Sequence, residues 1–216
     1  MAPLPSIIAT FSVATTVKII LTMKKRILAL VTLATTSAAC AYPSISQIDA
    51  PPKPVEIPVV AYKKSWKCPG CSTNEKYVLE QLQEKTKISD RNALATIMGN
   101  IKSESNFHPN ICEGGARVPY NNCHSGGYGL IQWTSVNRYR NLGKFATKYG
   151  YDPSSLEGQT AYMINENVFQ RYLPEFEGSG KSVDQYMVTA YYWLGWGIKG
   201  HRQQYAYDYT KKMVLV

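Results

Sequence analysis

The stretch "NALATIMGNIKSESNF", residues 92–107, decides the fold because it predicts a core helix. Its apolar side chains recur at intervals of three and four residues, at Leu94, Ile97, Met98 and Ile101. That period is typical of a helix with one apolar face. Glu104 continues the same face, because it stands at helical spacing from Ile97 and Ile101. The pattern therefore predicts a buried helix that ends on a carboxylate.

Two interpretations of Glu104 follow from this position. A carboxylate beside apolar packing loses hydration, so we expect the pKa of Glu104 to be raised. A glutamic acid that stays protonated near neutral pH can act as the general acid in cleavage of a glycosidic bond. Alternatively, Glu104 is a solvated acid at a frayed helix end, compensated by Lys102, since most lone acids are solvated.

A second segment of interest, "GGYGLIQWT", lies between two predicted helices at residues 126–134. Its glycines allow the backbone to approach a ligand closely. Gln132 can donate to and accept from a sugar or acetamido group, and Tyr128 and Trp133 offer flat faces for sugar rings. Alternatively, the segment is a buried turn whose aromatic rings belong to the core. The sequence alone leaves both interpretations open.

Helix-start patterns recur along the chain and predict an all-α single domain of five or six helices over residues 72–213. The predicted N-caps are Ser72, Ser89 or Asp90, Ser135, Ser154 and Ser182, three of them in capping-box patterns. Gly150 predicts a helix end. The run "GQTAYMINENVFQRYL" is predicted to form one helix, and a last helix covers about 201–213.

The first 41 residues are typical of an export leader. From Met23, "MKKRILALVTLATTSAACAYPS" has a basic start, a short apolar stretch and small residues before an A-x-A cleavage pattern that ends at Ala41. The apolar stretch is shorter than a typical membrane-spanning helix. The alternative to a cleaved leader is an uncleaved membrane anchor. We expect an exported protein, periplasmic or extracellular, with no stable membrane span after processing. The proline-rich residues 42–71 are predicted to be a linker.

The formal net charge is +9, from 24 basic and 15 acidic residues. Four of the basic residues lie in the leader, which has no acid, so the remaining 20 and 15 give +5. This moderate charge suits an anionic partner such as an acidic polymer. No cluster of Lys and Arg resembles a nucleic-acid footprint, so we expect no nucleic-acid partner.

Four cysteines follow the leader, and an even number in an exported chain predicts two disulfides with three possible pairings. We favour Cys112 with Cys123, which closes a glycine-containing loop, and Cys68 with Cys71. The alternatives are a zinc site, for which the spacing is uncommon, and a redox C-x-x-C motif, for which the βαβ context is missing. The histidines have no metal-ligand spacing. We therefore expect no metal and no cofactor.

Together, "ESNF" at residues 104–107 and "GLIQW" at residues 129–133 resemble the E-S-x-F and G-L-x-Q motifs of goose-type lysozymes and lytic transglycosylases. The longer string "ATIMGNIKSESNF…GGYGLIQWT…RYRNLGKF" is more similar to the lysozyme-like domain of phage tail proteins, over about residues 78–175. "TAYYWLGWG", residues 189–197, loosely resembles the third motif of these enzymes. The order of the motifs, with a helix before the acid, is more specific than any one of them.

The resemblance implies a peptidoglycan-degrading lysozyme, or muramidase, that cleaves the β-1,4 bond between N-acetylmuramic acid and N-acetylglucosamine. It implies Glu104 as the general acid, Ser105 as its adjacent serine and Gln132 as a substrate contact. Tyr191 matches the tyrosine that steadies the acid, although the asparagine expected after it is Tyr192 here. The implied partners are peptidoglycan glycan strands and other virion tail proteins, for an exported or virion-associated, bacteriolytic protein.

The mechanism stays open because glycosidases usually need two carboxylates. Glu113, Asp152 and Glu157 are candidates for the second only because they are acidic, and Glu113 lies in the proposed disulfide loop. A single acid would instead let the sugar's own 6-hydroxyl attack, which is the lytic transglycosylase outcome. A non-catalytic wall-binding or virion structural module that kept the fold is the third alternative.

Overall fold

The computed structural model describes residues 64–216, so the predicted leader and most of the predicted linker lie outside the described residues. Seven α-helices in this part confirm the all-α class and exceed the five or six predicted. They are α1 Thr73–Lys85, α2 Arg91–Ser105, α3 Val136–Tyr149, α4 Leu156–Asn165, α5 Asn167–Glu177, α6 Val183–Leu194 and α7 Arg202–Lys212. The other elements are a 3₁₀ turn, Tyr120–Asn122, and an antiparallel pair of short strands, β1 Trp66–Lys67 and β2 Val214–Leu215.

Helix α2 is the centre of the fold, and its residues 93–101 are all buried. A helix that is buried on every side must be surrounded, and both α6 and α7 pack against it. Helix α7 approaches so closely that a Cβ at Gly99 would lie 2.5 Å from the backbone nitrogen of Ala206. Asp90 starts α2 by accepting from two backbone N–H groups of the first turn. This packing sets the end of α2, where Glu104 lies, against α7.

Most of the predicted caps are present. Ser72 and Ser182 form capping boxes, Ser135 caps α3, and Gly150 ends α3 with a φ of 74°. Helix α4 is the exception, because its cap is Ser155. The predicted cap, Ser154, instead accepts from the backbone N–H of Tyr120 at 2.8 Å.

The predicted helix after Ser155 is interrupted at Glu166, where φ and ψ are −66° and 132°. The Glu166 carboxylate accepts hydrogen bonds from both Nε and Nη2 of Arg138, each at 2.6 Å. The indole N–H of Trp133 and the hydroxyl of Tyr162 donate to it at 3.3 and 3.5 Å. These long-range contacts hold Glu166 out of helical geometry and divide the run into α4 and α5, a break that apolar periodicity does not show.

The fold begins before the end of the predicted linker. Strand β1 pairs with β2, and the indole of Trp66 donates to the carbonyl of Ser89 at 2.9 Å. The predicted disulfide between Cys68 and Cys71 is present, with Cα atoms 5.4 Å apart, and both cysteines are buried. Within residues 64–216, no helix is long and apolar enough to cross a membrane.

Candidate active site

Backbone strain marks the two motifs that the sequence singled out. In the described part of the chain, three residues other than glycine have a positive φ: Asn106 at 48°, Phe107 at 61° and Gln132 at 51°. The first two end α2 directly after Glu104 and Ser105, and the third belongs to "GLIQW". Left-handed conformations are unfavourable for residues with a side chain and concentrate at functional sites. Both motifs are therefore held in shapes that their surroundings must enforce.

Ser105 joins the two motifs. Its buried hydroxyl donates to the carbonyl of Leu130 at 2.8 Å, which fixes the end of α2 to the glycine-rich loop. Phe107 is buried and packs edge-on against Tyr209 of α7. The Phe107 carbonyl also accepts from the side chain of Asn74 in α1 at 3.0 Å. The segment after Glu104 is therefore anchored to the loop, to α1 and to α7.

The carboxylate of Glu104 is bound by Arg202, and their side chains are 14% and 10% exposed. The Nη2 of Arg202 donates to Oε1 of Glu104 at 2.5 Å. The Nη1 donates to the carbonyls of Ile198 and Lys199 at 2.9 and 3.0 Å, and the ring of Trp196 lies 5.1 Å from the guanidinium carbon. The segment between α6 and α7 therefore holds a fixed cation against Glu104.

This pair differs from both sequence-based interpretations of Glu104. The carboxylate is neither exposed nor surrounded by apolar groups alone, because a guanidinium compensates its charge. Lys102, the expected compensating cation, instead binds Glu75 at 3.7 Å. Arg202 stands 98 residues from Glu104, so no local spacing reveals the pair. Within residues 64–216, Oε1 of Glu104 has a hydrogen-bond partner and Oε2 has none.

The glycine-rich loop is held by Gln159, a residue that the sequence did not single out. Its Oε1 accepts from the backbone N–H of Leu130 at 2.8 Å, and its Nε2 donates to the carbonyls of Pro109 and Pro153 at 2.6 and 2.7 Å. The side chain fits because Gly129 has none: a Cβ there would lie 2.2 Å from the Gln159 oxygen. A glutamine at the start of the apolar part of α4 was the available signal, since a buried amide needs partners.

Gln132 turns its side chain back onto its own loop. Its Nε2 donates to the carbonyls of Gly129 and Ile111 at 3.1 and 3.3 Å. Its Oε1 has no hydrogen-bond partner among the described residues, and the side chain is half-buried. The oxygen is therefore able to accept a hydrogen bond from a sugar hydroxyl or acetamido group.

Tyr128 and Trp133 lie in the core, in contrast to the expectation that their rings face a sugar. Both residues are 0% exposed. Tyr128 meets Tyr120 and Tyr139 edge-on, and Trp133 packs against Tyr162. The rings support the glycine-rich loop from beneath, as the alternative interpretation proposed, and a sugar cannot reach them in this structure.

Exposed aromatic rings occur instead around the third motif. Tyr191 and Tyr192 are 47% and 60% exposed, and Tyr191 meets Trp196 edge-on with ring centroids 5.4 Å apart. Among the described residues, no hydrogen bond joins Tyr191 to Glu104. The connection runs through Trp196, which lies over Arg202. The three rings line a surface groove of about 380 Å³ beside the ion pair.

The predicted disulfide between Cys112 and Cys123 is present, with Cα atoms 5.6 Å apart. It closes the loop that carries Glu113, whose Oε2 accepts from the backbone N–H of Gly127 at 2.9 Å. Of the other two acidic candidates, Asp152 lies four residues before α4 and Glu157 lies in its first turn. Within residues 64–216, none of the three forms a hydrogen bond with Glu104, and no group of three or more metal-ligating side chains occurs.

Comparison with known proteins places this arrangement in a family context. A sequence model of the family described as phage tail lysozyme matches residues 73–213, well over half of the chain. The matched region contains all seven helices of the described part and both motifs. No curated protein sequence matches the chain.

Proposed function

The chain belongs to the phage tail lysozyme family, and we propose that it cleaves the β-1,4 bond between N-acetylmuramic acid and N-acetylglucosamine with Glu104 as the general acid. Family membership supports peptidoglycan-degrading, lysozyme-type activity in general. The observation that supports Glu104 as the general acid is that only one of its two carboxylate oxygens has a hydrogen-bond partner in the described residues. Arg202 holds its Oε1, and its Oε2 has no protein partner among the described residues.

This geometry leaves Oε2 of Glu104 free to carry a proton. A protonated Glu104 keeps its Oε1 as an acceptor for Arg202 while its Oε2–H donates to the glycosidic oxygen. As the bond breaks, the proton moves to the departing oxygen, and the guanidinium 2.5 Å away stabilises the carboxylate that remains. Because the Glu104 side chain is only 14% exposed, water screens this interaction little.

The second step has two outcomes. Attack by water gives hydrolysis and calls for a second carboxylate as base or stabiliser. Of the three acidic candidates, Glu113 is the one that binds the glycine-rich loop, through the backbone N–H of Gly127. We therefore assign to Glu113 the role of the second carboxylate in hydrolysis. Attack by the sugar's own 6-hydroxyl gives a 1,6-anhydro product without water, which is the lytic transglycosylase alternative.

Sugar contacts are proposed on both sides of the ion pair. The free Oε1 of Gln132 accepts from the glycan on the loop side. On the other side, the exposed rings of Tyr191 and Tyr192 and the partly buried ring of Trp196 provide the stacking surface that Tyr128 and Trp133 do not. Ser105 acts indirectly, because its hydroxyl fixes α2 to the loop.

We also propose that the protein acts outside the cytoplasm, by export or as part of a virion with other tail proteins. Family membership suggests a secreted or virion-associated protein, and residues 1–41 carry the leader pattern. Mass spectrometry of the protein recovered from the wall fraction should give Tyr42 as its first residue. A chain that retains Met23 would contradict processing at Ala41.

The test of the reaction is the chemistry of the product ends. Purified peptidoglycan is digested with the full chain, with Glu104→Gln and with Glu84→Gln, a matched change at an exposed acid of α1, and the muropeptides are analysed by mass spectrometry. Reducing ends show hydrolysis, and 1,6-anhydro ends show transglycosylation. Normal release by Glu84→Gln and none by Glu104→Gln supports the proposal. Wall binding without release by the wild type would instead identify a non-catalytic binding module.

A further inference from the structure

The positive charge of the described part of the chain is concentrated in one segment. Residues 64–216 contain 18 Lys and Arg against 13 Asp and Glu. Residues 114–151 contain five of these basic residues and no acid, so the remainder is balanced at 13 and 13. The whole excess of five charges therefore lies in the glycine-rich loop, the segment that precedes it and α3.

Helix α3 presents most of this charge on one face. Arg138 is neutralised by Glu166, but Arg140, Lys144 and Lys148 follow at intervals of four residues and are exposed. Within residues 64–216, no ion pair reaches these three cations. At a rise of about 1.5 Å per residue they form a row roughly 12 Å long.

The row forms one wall of an open groove between α3 and the 3₁₀ turn. The groove has a volume of about 730 Å³, and no acidic side chain lines it. Its floor is rigid, because Tyr120 stacks on Tyr139 with ring centroids 4.3 Å apart and donates to the Tyr139 carbonyl at 2.7 Å. Gly143 permits this contact, since a Cβ there would lie 2.7 Å from the Tyr120 hydroxyl oxygen. Asn121 and Thr147 add neutral hydrogen-bonding groups.

We propose that this basic groove binds a phosphodiester-linked polyanion of the cell wall and so holds the enzyme on its substrate; the choice of ligand rests on the proposed function. Three cations in a row match a linear polymer that carries a charge on each repeat. The amide and hydroxyl at the groove match the hydroxyl groups of a polyol or sugar backbone. An extended polymer fits better than a compact anion, because all three cations are exposed and cannot enclose one.

Two other polyanionic partners fit the groove less well. Binding of single-stranded nucleic acid relies on free aromatic faces for base stacking, but Tyr120 already stacks on Tyr139 and meets Tyr128 edge-on. A membrane surface favours exposed Trp, Phe or Leu beside the cations, and none of these residue types lines the groove.

The proposal is tested by binding to purified sacculi, measured by cosedimentation on ice. The sacculi either retain their phosphodiester polymers or are stripped of them with hydrofluoric acid. The triple variant Arg140→Gln, Lys144→Gln, Lys148→Gln is compared with Lys85→Gln, Lys87→Gln, Lys211→Gln, which removes three exposed charges elsewhere. All chains also carry Glu104→Gln, which removes cleavage if Glu104 is the acid. If it is not, the low temperature still limits cleavage, and it does so equally for the two triple variants.

We expect the α3 triple variant to bind polymer-bearing sacculi about tenfold more weakly, and the control triple less than about threefold. Binding of all chains to stripped sacculi should be equally weak. Lys144→Glu alone should also weaken binding to the polymer-bearing sacculi. This single variant provides the test if the triple variant does not fold. Equal losses by the two triples, or equal binding of the Glu104→Gln parent chain to both kinds of sacculi, would overturn the proposal. Tighter binding of this parent chain to phosphatidylglycerol vesicles or DNA than to the wall would overturn it too.

Discussion

Two arginine–glutamate pairs in this domain differ in how completely each carboxylate is used. Arg138 binds Glu166 through two bonds of 2.6 Å, and an indole N–H and a tyrosine hydroxyl donate to the same carboxylate. Arg202 binds Glu104 through one bond of 2.5 Å. In the described residues, the second oxygen of Glu104 has no partner. Both pairs join an arginine to a glutamate, but only Glu104 keeps a carboxylate oxygen that is able to accept a further hydrogen bond from a ligand.

The difference separates a structural carboxylate from one that is available for chemistry. Glu166 is 5% exposed and closes the junction of α3, α4 and α5. Burial, and then the charge of Glu166, raise the pKa of Tyr162 well above its usual value, so its hydroxyl stays protonated and able to donate. Glu104 lies at the end of α2, and its Oε2 has no hydrogen-bond partner among the described residues.

The comparison predicts the largest loss of stability at Glu166. Glu166→Gln leaves the guanidinium of Arg138 without its counter-charge, and removing one partner of a buried pair costs about 3 kcal/mol or more. We expect the free energy of unfolding, measured by denaturant titration at neutral pH, to fall by about that amount. Glu175→Gln is the matched control because Glu175 is 57% exposed in its pair with Lys181. Its loss should stay below about 1 kcal/mol, and equal losses in the two variants would contradict the structural role.

The sequence predicted the local elements of the fold better than its long-range contacts. The apolar period of α2 and the caps at Ser72 and Ser182 depend on near neighbours, and the structure contains them. The pair of Glu104 and Arg202 joins positions 98 residues apart, and the hydrogen bonds of Gln159 reach across the glycine-rich loop. Such contacts have no local pattern.

The aromatic residues show a second limit of sequence patterns. A flat ring suits a sugar and a hydrophobic core equally well. Tyr128 and Trp133 were therefore open to both interpretations, and only their burial decides for the core. Tyr191 and Tyr192 also carry flat aromatic rings, but they lie on the exposed face of α6. The spacing of apolar residues along α6 did not separate this face from the buried one.

A smaller effect is predicted for Arg202, because it acts on Glu104 rather than on the glycan. Arg202→Lys keeps a cation but loses the fork that binds Oε1 of Glu104 and two backbone carbonyls at once. We expect kcat/KM on purified peptidoglycan to fall about tenfold, equivalent to about 1.4 kcal/mol of transition-state stabilisation. Arg171→Lys, an exposed position on α5, should leave the rate unchanged. A rate for Arg202→Lys equal to that of the wild type would show that the ion pair does not position the acid.

A third carboxylate extends the comparison to pH. Burial by itself would raise the pKa of Glu75, but hydrogen bonds from Tyr209 and Ser72 and the charge of Lys102 together lower it from 4.5. A carboxyl group whose pKa is lower in the folded chain stabilises the fold above its unfolded pKa, and this contribution is lost as the pH falls through the folded pKa.

The wild type should therefore lose stability more steeply than Glu75→Gln as the pH falls below about 4.5. The measurement is the Tm of both chains by circular dichroism between pH 3 and pH 7. Glu75→Gln should melt lower at pH 7, and the two curves should converge at low pH. Curves that stay parallel across this range would show that Glu75 contributes no pH-dependent stability.

The role of Glu104 as proton donor is tested most directly by the kcat/KM of Glu104→Gln on purified peptidoglycan, with Tm measured on the same preparation. Glutamine keeps an oxygen for Arg202 but has no acidic proton to give. We expect a loss of roughly 10²- to 10⁴-fold in kcat/KM, the range typical of a general acid, with Tm within a few degrees of the wild type. A folded Glu104→Gln chain that retains kcat/KM within about threefold of the wild type would contradict the assignment.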